Sequence, residues 1–151
     1  LFDRMKAADT DNAAAYQARY DVFAKRWSDA TLRWEKEAAG LKGINVVVHH
    51  RSFTYLLNWL GMQEAGTLEF KPGIPSTTSH LESLLQTLKA NPAKVIIRTP
   101  YEPDDASQWL SGKTHTPAIV LPYTVGGDAE SADLFELFNH TIALLKGVSR
   151  D

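Results

Sequence analysis

The chain has no cysteine, which excludes disulfide bonds, thiolate metal sites and a cysteine nucleophile. No apolar run approaches the roughly 18 residues that a membrane-spanning helix needs. Neither sign of charge is in large excess, since the formal net charge is −2 over 151 residues. Nothing therefore indicates nucleic acid or an anionic membrane as a partner. The Gly-rich, Walker, Gly-x-Ser-x-Gly and His-Glu-x-x-His signatures of common enzymes are missing. What remains, 44% apolar and 23% charged residues, is typical of one ordinary globular domain.

A long helix is predicted near the start of the chain, because residues 13–39 contain neither glycine nor proline. Apolar side chains recur there at alternating spacings of four and three, at Tyr16, Tyr20, Phe23, Trp27, Ala30 and Trp34. This spacing is typical of one face of an α-helix roughly 40 Å long, which ends near Gly40. Either the helix packs across one lobe with a frayed end, or it joins this lobe to a second one. We favour the second alternative, because the chain begins at Leu1 without a methionine. We therefore expect residues 1–42 to form an inter-lobe backbone helix and the N-terminal lobe to lie outside this chain.

Four strand–helix units follow over residues 43–151. We expect strands over residues 44–48, 64–70, 94–98 and 117–121. The last three helices are expected to begin at Ser79, at the pair Asp104 and Asp105, and at Ser131, in that order. Ser79 and Glu82 have the spacing of a capping box. Gly112 and Gly147 are expected to end the last two. Alternating strands and helices predict an α/β fold: a long N-terminal helix followed by a four-stranded parallel sheet with helices on both faces.

Polar side chains gather where the predicted strands end, and His50 is the strongest single candidate for a functional residue. The carboxyl ends of parallel strands share one edge of a sheet, so imidazole and carboxylate groups are expected there, and these suit Zn²⁺ or Mn²⁺. The alternative is a histidine that only hydrogen-bonds locally. His49 should face the opposite side of the sheet. His80, His115 and His140 are predicted to be surface or capping residues.

Several stretches resemble a known family. VVVHHRSFTYL, GTLEFKPGIPSTTSHLESLL, KVIIRTPYEPDDASQWL and AIVLPYTVGG resemble the C-terminal lobe of the metal-binding solute-binding proteins of ABC importers, which take up zinc or manganese. The most specific pieces are His-x-Ser-Phe at His50 and Glu-x-Lys-Pro-Gly-Ile at Glu69, and the long helix resembles the family's rigid backbone helix.

The resemblance implies a metal ion held between two lobes, with His50 as a ligand from this lobe. Two departures leave the remaining ligands open. Arg51 follows the histidine where the family often has an aspartate, so it is expected to point away or to pair with a carboxylate such as Glu69. The turn after the last strand carries no acid before Asp128, so the fourth ligand is Asp128, Glu69, Glu102, water or nothing from this lobe.

The resemblance implies a binding protein, not an enzyme. It would capture a divalent metal, Zn²⁺ first and Mn²⁺ second, in the periplasm or anchored at the cell surface, and deliver it to an ABC permease in the membrane. The alternatives are a lobe that binds an organic ligand of siderophore or corrinoid type through Trp59, Tyr101 and Tyr123, an α/β enzyme domain that uses His50 as acid or base, and an adhesive interaction module. We also expect the isolated chain to self-associate through the surface that the other lobe would cover.

Overall fold

The computed structural model describes residues 1–71 and 73–148. Pro72, in the Glu-x-Lys-Pro-Gly-Ile stretch that begins at Glu69, and residues 149–151, at the end of the predicted lobe, lie outside the described residues. The described α-helices are α1 (Phe2–Ala8), α2 (Ala13–Glu37), α3 (Thr54–Leu60), α4 (Thr78–Ala90), α5 (Asp105–Thr114) and α6 (Leu134–Val148). The described strands are β1 (Asn45–Val48), β2 (Gln63–Thr67), β3 (Val95–Arg98) and β4 (Ala118–Val120). The chain divides into two compact units, Leu1–Lys36 and Glu37–Asp151.

The first unit is a helical corner in which α1 folds back along the start of α2. The rings of Phe2 and Tyr20 stack with centroids 4.2 Å apart, and the hydroxyl of Tyr16 donates to the Asp9 carboxylate at 2.9 Å. The aromatic stripe continues along α2, where Trp27 meets Trp34 edge to face at 5.4 Å. The aromatic spacing thus correctly indicated a single helical face.

The second unit contains a four-stranded sheet in which every pairing is parallel, in the order β2-β1-β3-β4. This confirms the α/β class and the parallel sheet predicted from the sequence. Because β1 lies between β2 and β3, the chain leaves β1 toward one side of the sheet and later returns to build its other side. The reversal lies between β1 and β3, and open α/β sheets usually bind ligands at the carboxyl ends of the strands at such a reversal.

Helices cover both faces of this sheet. On one face, Val47 and Ile96 belong to an apolar cluster with the leucines of α4 and with Leu110 of α5. The strand residues that alternate with them, such as Val46 and Ile97, are also fully buried, so the opposite face is covered too. Together these contacts confirm the expected helix-covered sheet.

Several helix ends differ from the sequence-based prediction. The cap of α4 is Thr77, whose Oγ1 accepts the N–H of His80 at 3.3 Å, and not Ser79. Helix α5 runs through Gly112 and ends at His115, which adopts a left-handed conformation with φ 57°.

The last helix also begins later than predicted, at Leu134, because the Asp133 carboxylate accepts the N–H groups of Phe135 at 2.7 Å and Glu136 at 2.9 Å. It continues through Gly147. None of the described helices has an apolar stretch long enough to cross a membrane.

Candidate metal centre

Two consecutive histidines leave β1 toward opposite faces of the sheet. His49 still takes part in the ladder: its N–H donates to Ile97 O at 2.8 Å, and its carbonyl accepts the N–H of Glu69 at 3.1 Å. Its side chain is buried. His50 has extended backbone angles and begins the 3₁₀ turn Arg51–Phe53, and its side chain stays 40% exposed. Strand alternation therefore leaves His50 as the accessible imidazole, as the sequence indicated.

Glu69 reaches His50 from the neighbouring strand. The Nδ1 atom of His50 lies 2.7 Å from Oε2 of Glu69. This is the length of a strong charge-assisted hydrogen bond, and the Glu69 side chain is only 19% exposed. The bond fixes the ring with Nδ1 toward the carboxylate, which leaves Nε2 as the nitrogen suited to a metal. The geometry thus makes Glu69 an orienting partner of His50.

Arg51, whose charge is unexpected beside a cation site, pairs with a carboxylate as expected, but the partner is Glu64 and not Glu69. Its Nε donates to Glu64 Oε1 at 2.9 Å. The guanidinium therefore does not compete with His50 for the Glu69 carboxylate. A cleft of about 260 Å³ lies beside the pair, and it is lined by His50, Arg51, Thr67, Glu69, Phe70 and Lys71.

Asp128, the remaining ligand candidate, sits in a different group. Its Oδ2 lies 3.5 Å from Nε2 of His140, and one ligand atom each of Asp128, Glu130 and His140 lie within 4.8 Å of one another. Among the described residues this is the one such group of three metal-ligating side chains. The structure therefore joins His50 to Glu69 but does not gather Asp128 with them.

Sequence reasoning missed this role of His140. Asp128 comes from the loop after β4 and His140 from the second turn of α6. The available signal was that Asp128 was already a ligand candidate and that His140 follows it on the next helix.

Glu102 is already engaged within its own turn. Its Oε2 accepts the N–H of Thr99 at 2.6 Å, and its carbonyl accepts from the guanidinium of Arg98 at 3.1 Å. A carboxylate used in this way stabilises the turn after β3, so Glu102 is a weaker ligand candidate than Glu69.

The aromatic residues proposed for an organic ligand do not form one surface. Tyr101 and Tyr123 meet edge to face at 5.9 Å, and Phe53 meets Tyr123 at 5.7 Å. Trp59 instead contacts Phe138 of α6 at 5.8 Å. The organic-ligand alternative therefore retains the two tyrosines, of which Tyr123 packs against the buried Phe53.

Comparison with known proteins is consistent with this architecture. The family model described as "Zinc-uptake complex component A periplasmic" (ZnuA) matches residues 1–148. A comparison with curated protein sequences finds no significant match.

Solved structures show the same fold at low sequence identity. A crystal structure of ZnuA superposes with a TM-score of 0.76 at 14% identity, over 98% of this chain and 52% of that one. The binding protein FpvC from Pseudomonas aeruginosa, in complex with Mn²⁺, gives 0.70 at 20% identity over 99% and 55%. A Cd-bound periplasmic metal-binding protein from Candidatus Liberibacter asiaticus gives 0.75 at 12% identity over 97% and 57%.

The chain thus spans about half the length of these structures. Since the family model covers nearly the whole sequence, the chain belongs to the ZnuA family.

Proposed function

We propose that this chain is one lobe of a solute-binding protein that captures a divalent metal ion for an ABC importer. The observation that carries the proposal is the pair of His50 and Glu69, 2.7 Å apart at the carboxyl ends of β1 and β2. Such a pair holds the imidazole ring in a fixed direction, which is how proteins prepare a histidine for a metal. The matched family and the half-length superposition support the two-lobed form of the whole protein.

The lobe supplies a single oriented imidazole, so the site is completed by ligands from elsewhere. We place these on a second lobe. Residues 1–42, whose long helix is α2, then serve as the segment that links the lobes, with residues 43–151 as the metal-binding lobe. Asp128 remains a candidate ligand of the inter-lobe ion only if its loop rearranges, because here it lies beside His140. The protein would bind and release its ion without catalysing a reaction.

Zinc is the first choice of metal and manganese the second. A neutral imidazole suits Zn²⁺, whereas further carboxylates would favour Mn²⁺. The related structures contain Mn²⁺ in one protein and cadmium in another. The location that fits this role is the periplasm or the outer cell surface, and the partner that would accept the metal is a membrane permease.

The test is elemental analysis of the full-length protein, purified without added metal, beside its His50→Ala variant. We expect the variant to lose about one equivalent of metal relative to the parent, and the lost element identifies the cargo. His115→Asn is the matched control, because it removes a histidine at a left-handed position that asparagine tolerates. Equal metal content in the parent and in His50→Ala would contradict the proposal. Metal in neither protein, even after zinc is offered, would favour an organic ligand at the Tyr101–Tyr123 surface.

A further inference from the structure

A second group of metal-ligating side chains lies outside the His50 site. Asp128 and Glu130 come from the loop between β4 and α6, and His140 comes from α6 itself. One ligand atom of each lies within 4.8 Å of the other two. His50 and Glu69 are not members of this group, so its chemistry is separate from that of the oriented imidazole.

The spacing of Asp128 and His140 is that of two ligands around one ion. Their Oδ2 and Nε2 atoms are 3.5 Å apart, which is long for a charge-assisted hydrogen bond of about 2.7–2.9 Å. Two ligands about 2.0–2.2 Å from one tetrahedral ion are separated by roughly 3.3–3.6 Å. The His50–Glu69 pair, at 2.7 Å, has the hydrogen-bonding distance instead.

The Asp128 carboxylate also has a buried oxygen without a hydrogen-bond partner among the described residues. This atom is Oδ1, although the side chain as a whole is 29% exposed. Ser131, three residues later, is fully buried and its Oγ likewise has no partner in the described part of the chain. A buried carboxylate oxygen without a donor is unfavourable, and a bound cation would compensate its charge.

The loop that carries the two acids is fixed at both ends. The Gly126 N–H donates to the Ser131 carbonyl at 2.7 Å, and the Asp133 carboxylate caps α6 through the N–H of Phe135. These two hydrogen bonds hold the backbone of the loop before any ion arrives, which lowers the entropic cost of binding.

We propose that Asp128, Glu130 and His140 form a second divalent-cation site. One imidazole and two carboxylates suit Zn²⁺, with water in the remaining position, and Mn²⁺ as the weaker alternative. A bound ion would tie the loop after β4 to α6. This site is contained within the chain, whereas the His50 site offers one protein ligand from this lobe.

The test is calorimetric titration of the 151-residue chain, first stripped of metal with a chelator, with Zn²⁺ alone. We expect about one equivalent to bind, with affinity reduced tenfold or more in Asp128→Asn and in His140→Ala. His50→Ala should leave this equivalent unchanged, which separates the result from the fate of the proposed function. Glu82→Gln and His115→Asn are the controls for loss of an exposed carboxylate and of a histidine elsewhere.

A second measurement keeps the outcome clear if a variant folds poorly. In the unsubstituted chain, we expect Zn²⁺ to shift the NMR signals of the His140 ring nitrogens. We also expect zinc to raise the thermal midpoint of the parent but not of His140→Gln, provided that circular dichroism shows that variant to be folded. Zinc bound equally by the parent, Asp128→Asn and His140→Ala would overturn the proposal, as would zinc signals confined to His50.

Discussion

His50 Nδ1 and Glu69 Oε2 are 2.7 Å apart although the two residues lie 19 positions apart in the sequence. The contact exists because β2 lies parallel to β1, which brings the residues that follow the two strands to the same edge. The backbone supports it directly, since the Glu69 N–H donates to the His49 carbonyl at 3.1 Å. The parallel pairing of β1 and β2 thus brings this imidazole and this carboxylate together.

Removing this carboxylate should weaken metal binding without removing the ligand. We expect Glu69→Ala to lower the metal affinity of the full-length protein by about 10–100-fold, because His50 loses the partner that fixes its tautomer and direction. Competition with a chromogenic chelator measures the change. Glu64→Ala, in β2 itself, is the matched control, because it releases the exposed Arg51 but leaves His50 paired. Equal loss in both variants would show that Glu69 acts only through general electrostatics.

A methyl group added at Gly66 should destabilise the second unit. An ideal Cβ there would lie 2.5 Å from Cδ1 of Leu84, which is buried in the core. We expect Gly66→Ala to lower the free energy of unfolding by about 1–3 kcal/mol through overpacking, as measured by urea denaturation. Gly112→Ala is the control: it lies in α5, and a Cβ placed there has no neighbour within 4 Å among the described residues, so a gain of about 0.5–1 kcal/mol is expected. Similar stability of the two variants would contradict the close approach of β2 to α4.

The N-cap of α4 gives a prediction that distinguishes Thr77, the cap in the structure, from Ser79, the cap predicted from the sequence. Thr77 Oγ1 accepts the N–H of His80, so Thr77→Ala should cost about 1 kcal/mol of unfolding free energy. Ser79→Ala should change it less, by no more than about 0.5 kcal/mol, because Ser79 Oγ makes an exposed contact of 3.3 Å with Thr77 Oγ1 and does not itself cap the helix. Thermal and urea denaturation of both variants measure the difference. A larger loss in Ser79→Ala would restore the capping box that the sequence favoured.

The corner between α1 and α2 should depend on pH. Hydrogen bonds from Asn12, and next from Tyr16, hold the pKa of Asp9 below its ordinary value. A carboxylate whose pKa is lower in the folded state stabilises that state fully above its unfolded pKa, about 3.9, and loses this contribution as pH falls through the folded value. We therefore expect the corner to loosen in acid, below about pH 4.

Substitution of Tyr16 tests this assignment. Tyr16→Phe removes one donor, so the pKa of Asp9 should move back toward its ordinary value, as followed by NMR titration of its carboxyl carbon. Tyr20→Phe is the control, because the Tyr20 ring contributes by stacking on Phe2. An Asp9 pKa that is the same in Tyr16→Phe and the parent would remove Tyr16 as a cause.

Much of the fold could be predicted because its strands and helices have strong local signals. Val46–Val48 and Val95–Ile97 are apolar runs without glycine or proline, as expected of strands covered on both faces. Helix ends were harder to predict, because several competing local hydrogen bonds and turn conformations determine where a helix begins and ends. Glycine allows a helix to end but does not force it to, and Gly112 lies inside α5. The helix instead ends where His115 adopts the left-handed conformation.

The candidate site was predictable where parallel neighbours fixed it, as for His50 and Glu69. Strand order cannot place Asp128 beside His140, because this contact depends on how the loop turns before α6. That loop is set by the Asp133 cap, which starts the helix three residues later than the periodicity indicated. The residues before the cap therefore belong to the loop that turns back toward α6. Helical periodicity alone does not predict that turn.

The central position of β1 also has a consequence for how this lobe reaches its folded state. Val46 pairs with Val95, 49 residues later in the chain, whereas β1 and β2 are joined by one short helix. The β1–β2 unit can form early from nearby residues, but the middle of the sheet closes only after the chain has returned from α4. Such distant pairing is slow relative to helix formation, so folding rates should respond most to changes at the β1–β3 junction, whose edge also carries His50.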